Sequence, residues 1–202
     1  DVIEEENTED FQRMAAMNPS NEEYLSASVL TLARKRITWL LFLMISATFT
    51  GYIIRYFEDA LQSVVALVSF IPMLMDTGGN AGSQSATLVI RGIALGEIEF
   101  KDILKIIWKE FRISILVGIV LSLINFLRIY YLEGYSVLIS LVVSVTLVFV
   151  VIIAKFIGGT LPILAKKIGL DPAIMASPMI TTIVDAISLS IYFTLAVWIL
   201  GI

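Results

Sequence analysis

Two acids set in apolar surroundings carry the chemistry of this chain. Asp185 is the only charge between Asp171 and the C-terminus. A helix over roughly 174–201 would centre near 187, which puts Asp185 close to the bilayer midplane. A charge there costs about 2.5–3.5 kcal/mol even on the lenient insertion scale, so it is expected to face a cavity or a partner. Ser177 and Thr181 precede it at four-residue steps and share its helix face. Thr182 and Ser188 lie close by, and Pro178 loosens the same helix. The second acid, Asp76, belongs to the stretch Pro72-Met-Leu-Met-Asp-Thr-Gly-Gly-Asn-Ala-Gly-Ser-Gln-Ser85. Gly79, Ser83 and Thr87 follow four-residue steps there, and Asn80 adds an amide. Carboxylates, hydroxyls and exposed carbonyls are hard oxygen donors. They suit a magnesium ion that keeps much of its water, or a calcium ion with more direct ligands.

The chain contains neither cysteine nor histidine. That excludes thiolate and imidazole sites, argues against dedicated zinc, copper or iron, and removes histidine acid–base chemistry. No disulfide framework exists.

The elements that must hold these residues are membrane helices. Of 202 residues, 58% are hydrophobic, and the mean hydropathy of +0.90 is that of an all-α integral membrane protein. Residues 1–23 hold eight acids against Arg13, a local charge of −7, and the remainder carries +3. Residues 1–19 read as polar and flexible. Ser20-Asn-Glu-Glu23 fits a capping box opening a helix toward Arg36. Spans are expected at about 37–57, 61–95, 113–131, 137–164 and 173–200. The second is about 35 residues, roughly 52 Å if helical, so a break at Pro72–Gly82 is expected. Residues 97–112 read as a separate amphipathic helix at the interface. Lys155 is expected to snorkel to the nearer surface; the competing reading pairs it with Asp185. Glu58-Asp59 reads as a turn.

Short loops on one side collect Arg34, Lys35, Arg36, Arg91, the four bases between 101 and 112, Lys166 and Lys167; the other side has Arg55 and Arg128. Ten against two places the N-terminus in the cytoplasm and the C-terminus outside. Five helices form a thin wall, so a homodimer with a shared path is expected. The domain division is an acidic segment and connecting helix over 1–36 and a pore domain over 37–202.

Several separated motifs then resemble one family. Pro72 through Gln84, with Ser85-Ala-Thr-Leu-Val-Ile-Arg91, resembles the second-helix signature of the MgtE magnesium channels. Gly158-Gly-Thr-Leu-Pro162, Gly169-Leu-Asp-Pro-Ala173 and Ser177-Pro-Met-Ile-Thr-Thr-Ile-Val-Asp185 resemble its fourth and fifth helices. Thr8-Glu-Asp-Phe-Gln12 and the helix to Arg36 resemble its connecting segment. The resemblance implies a homodimer, five transmembrane helices per subunit, and a central pore lined by the second and fifth. It implies Mg2+ as the transported ion and Asp185 as the main ion-binding acid. It places Gly79, Ser83, Thr87, Ser177 and Thr181 along the pore, with Asp76 and Asn80 beside them, and Glu58 and Asp59 at an acidic outer mouth. It implies an inner-membrane location, no enzymatic activity and no nucleic-acid partner. It also implies cytoplasmic CBS regulatory domains in longer members, absent from these residues. A sodium-coupled magnesium carrier is the alternative. An aspartyl protease built on Asp76 and Asp185 is disfavoured, because Ile183-Val-Asp185 lacks the Gly-x-Gly-Asp pattern.

Overall fold

The computed structural model describes residues 2–19, 24–175 and 177–202, and every regular element among them is helical. The chain runs α1 (Val2–Met14), α2 (Val29–Tyr56), α3 (Glu58–Ser63), a 3-10 segment (Val65–Phe70), α4 (Ile71–Ala94), a short 3-10 turn (Phe100–Asp102), α5 (Ile103–Leu127), a π turn (Arg128–Leu132), α6 (Val137–Lys167), a 3-10 turn (Pro172–Met175) and α7 (Ser177–Leu200).

In the N-terminal segment α1 is helical, and the turn after it bonds to α2 from Asn18 N–H to the Lys35 carbonyl at 3.1 Å. The capping box at Ser20–Glu23 lies outside the described residues. Residues 24–26 form a turn, and α2 begins after Ser28, whose hydroxyl accepts the Thr31 N–H at 3.1 Å. The connecting segment and first span are therefore one helix. Glu58 and Asp59 open α3 rather than a bare turn, which suits their charge, since acids favour a helix N-terminus.

The expected break at Pro72–Gly82 is absent. Pro72 sits in the first turn of α4, where its missing N–H costs nothing, and the helix runs on for 24 residues, about 36 Å. The excess length is absorbed earlier, by α3 and the 3-10 segment. Residues 103–112 are likewise no separate surface helix. They form the first turns of α5, with Glu110 turned inward.

Among the described residues, four stretches are long and apolar enough to cross a membrane: Val29–Tyr56, Phe100–Leu132, Val137–Lys167 and Pro172–Leu200. α4 has comparable length but is the polar helix of the set. It is held between α6 and α7, with α5 behind α6 and α2 against α7. Between Leu74 and Val89, which are both buried, its buried face consists of small residues: Gly78, Gly79, Ala81, Gly82, Ser85 and Ala86. Lipid offers no hydrophobic drive for helices to associate, so close backbone approach and dispersion must hold them. The approach here is extreme. A β-carbon at Gly158 of α6 would overlap the Gly82 carbonyl oxygen of α4, and one at Gly82 would lie 2.6 Å from Ile180 Cγ2 and 3.0 Å from the Ala154 carbonyl. Around this contact pack Leu67, Phe70, Leu74, Val142, Leu147, Val151, Ile180, Val184, Leu189 and Phe193. Tyr192 is fully buried, and its hydroxyl donates to the Leu67 carbonyl at 2.9 Å, tying α7 to the 3-10 segment.

Gly158→Ala is expected to destabilise the protein by at least about 2 kcal/mol, because backbone must move to admit the methyl. Gly118→Ala meets Val148 only at ordinary contact distance, 3.4 Å and beyond. It should be neutral or stabilising by up to about 1 kcal/mol. Melting of the two variants in detergent checks the ordering; equal melting would contradict it.

Candidate ion site between α4 and α7

The register of α4 on α7 follows from its glycines. A β-carbon at Gly79 would lie 2.7 Å from Thr181 Cγ2. One at Gly78 would meet Val184 at 2.9 Å and the Ser188 hydroxyl at 3.1 Å, and Gly82 faces Ile180. The helices are antiparallel, so each step back along α4 is a step forward along α7. Three residues before Gly79 and four after Thr181, Asp76 and Asp185 arrive at one level. Asp76 is exposed and Asp185 half-buried.

Four of the residues singled out on α4 fall on one uncovered face: Asp76, Asn80 and Thr87 are exposed, and Ser83 is half-buried. Gln84 joins them. Gly79 differs. It is buried, and its contribution is to let α7 come close. On α7, Thr181 is half-buried, and its hydroxyl donates to the Pro178 carbonyl at 3.0 Å. Thr182 donates to the same carbonyl at 2.8 Å. Ser177 begins α7, and its side chain lies outside the described residues. Among the described residues no three acidic side chains cluster. A cation here would meet two carboxylates per chain, supplemented by hydroxyl and amide oxygens.

Lys155 does not snorkel, nor does it pair with Asp185. It is 5% exposed, and its ammonium donates to the Ser85 hydroxyl at 3.3 Å. Ser85 in turn donates to Glu110 Oε2 at 2.6 Å, with Lys155 Nζ 4.0 Å from that oxygen. The Glu110–Ser85 link escaped sequence reasoning. Its signal was an acid on the apolar-flanked side of a segment read as amphipathic. Outside the spans, Arg13 bonds Asp171 beside the turn into α7, and that hydrogen bond holds its guanidinium above its ordinary pKa.

The model of the MgtE family, described as divalent cation transporters, matches residues 71–195. The chain is similar to the magnesium transporter MgtE of Thermus thermophilus, 36% identical over 196 residues. It is also similar to that of Bacillus subtilis, 38% identical over 196 residues, and to that of Enterococcus faecalis, 29% over 199. Each match takes in 97% of this chain. The chain spans 43% of the length of the first two relatives.

The α4–α7 register makes Gly79 and Thr181 a coupled pair. Gly79→Ala should clash with the Thr181 methyl, and Thr181→Ser should relieve it. A double-mutant cycle on melting should give a coupling of about 1 kcal/mol or more, with the double variant more stable than Gly79→Ala alone. Additive effects would refute this register.

Proposed function

The chain belongs to the MgtE family of divalent cation transporters, and from that premise we propose that it forms the pore domain of a magnesium channel. Two copies, each with five membrane spans, enclose a central path lined by α4 and α7. Asp185 is the main ion-binding acid, and Asp76 is a second, more exposed one. Asn80, Ser83, Thr87, Ser177 and Thr181 line the path, and Gly79 allows the two helices to meet. The N-terminus is cytoplasmic, the C-terminus lies outside, and the membrane is the cell inner membrane. Residues 1–36 connect this pore to cytoplasmic CBS regulatory domains in a longer protein.

One observation carries the reading: a polar helix at membrane depth leaves a row of polar side chains uncovered. Lipid cannot satisfy Asp76, Asn80, Gln84 and Thr87, so water or a second copy must. The uncovered row and the half-buried Asp185 at its outer end make a negative, oxygen-rich lining. Magnesium sheds water reluctantly, which favours a few acids acting on a hydrated ion over a tight dry cage. α2 is the most exposed span: none of its residues is buried, and Leu40, Met44, Ile45 and Phe49 are at least 59% exposed, as suits a helix facing lipid.

The chain in vesicles loaded with a magnesium-sensitive dye is expected to admit Mg2+ without sodium on either side. Asp185→Ala should lower that flux at least about tenfold at unchanged melting temperature, and Asp76→Asn should lower it less. Wild-type flux through Asp185→Ala would remove Asp185 from the ion path. A strict need for sodium would replace the channel with a coupled carrier.

A further inference from the structure

Behind the face assigned to the ion path, α4 makes a second polar contact. The chain of hydrogen bonds from Lys155 through Ser85 to Glu110 joins α6, α4 and α5. All three side chains are sequestered: Ser85 is 1% exposed, Lys155 5% and Glu110 8%. The donors are ordered without conflict. The ammonium supplies its proton to the serine oxygen, and the serine hydroxyl supplies its own to the carboxylate. The stem of Glu110 packs over Gly159, where an added β-carbon would sit 3.1 Å from Glu110 Cγ. The link therefore lies beside the Gly82–Gly158 crossing.

Elsewhere the buried face of α4 is apolar: Leu74, Val89, Ile90 and Ile93 pack toward its ends, and Gly78, Gly79, Ala81, Gly82 and Ala86 form its middle. Apolar contact is non-directional, and the glycine and alanine stretch has no side chain long enough to key into a neighbour. Ser85 differs, because it bonds two charged groups on two other helices. Gln84, its neighbour in sequence, lies on the exposed polar row, and so does Thr87 two positions on. Any turn of α4 that moves Ser85 off its partners moves that row by the same angle.

The geometry points to Lys155 and Glu110 as positioning residues that act through Ser85 to set the rotation of α4, and so decide which side chains it presents to the ion path. The link would be a costly way to gain stability alone. Buried ion pairs often contribute little net, and apolar replacements can match them. A bridged pair of opposite charges does give a direction that small residues cannot. The inference rests on the proposed function only for what the exposed row faces; the rotational role stands or falls separately.

The native chain has no cysteine, so a single introduced thiol reports on one position. Gln84→Cys sits on the exposed row and Ala86→Cys at a fully buried site. The full chain in magnesium-free vesicles is treated with a charged, water-soluble thiol reagent, and the ratio of the two labelling rates is taken. Ser85→Ala and Lys155→Met are expected to lower that ratio at least about tenfold, the effect of losing one charged hydrogen bond. The exchange Glu110→Lys with Lys155→Glu should recover part of it. Lower melting with a ratio within about twofold of the parent would overturn the proposal, leaving the link as ordinary stabilisation. If Lys155→Met fails to fold, Ser85→Ala decides alone, because it removes the bridge without stranding a charge in an empty site. Transport is not read, so a failed channel assignment leaves this result standing.

Discussion

The contact between Gly82 and Gly158 is the constraint on which the rest of the structure depends. α4 is too polar to be held by lipid, and between Leu74 and Val89 its buried face carries no large side chain. Only direct approach of one backbone to another gives it enough dispersion contact with α6. The same smallness seats α7, through Gly78 and Gly79, at the register that levels Asp76 with Asp185. Packing and ion chemistry are thus not separate in α4. The residues that let neighbours in on one side leave the polar row on the other.

Much of this was legible in the sequence, because membrane spans obey a length and hydropathy rule with few exceptions. α6 and α7 fall close to their expected limits, and the polar character of α4 was plain in Asp76, Asn80 and Ser83. The reading failed where one residue type has two opposite uses. Pro72 was taken as a break and is a helix start; what decides between them is where the preceding turn ends, which depends on α3 and the 3-10 segment packing beneath. The glycines inside that expected break instead tighten the helix contacts. That distinction needs a partner helix, and the partner's identity is not written locally.

Lys155 illustrates the same limit. A lone lysine in an apolar run has two physical solutions: reach the surface or find a buried acid. Chain position favoured the surface. Its acid lies 45 residues away on α5, in a segment whose alternating charge looked solvated. Neither residue alone names its partner; together, with Ser85 between them, they form a neutral unit that the interior tolerates.

The polarity of α4 also bears on how the protein is made. α4 leaves the ribosome before either helix that shelters it, since α6 ends at Lys167 and α7 at Leu200. At ordinary synthesis rates the 73 residues between Ala94 and Lys167 take about 4–15 s. During that interval Asp76, Asn80 and Gln84 have no fold to enter, and the hydrocarbon rejects them. α4 gains its shelter only once α6 arrives with Gly158, while the chain is still being made. Its final seating is set by its neighbours rather than by its own affinity for the bilayer.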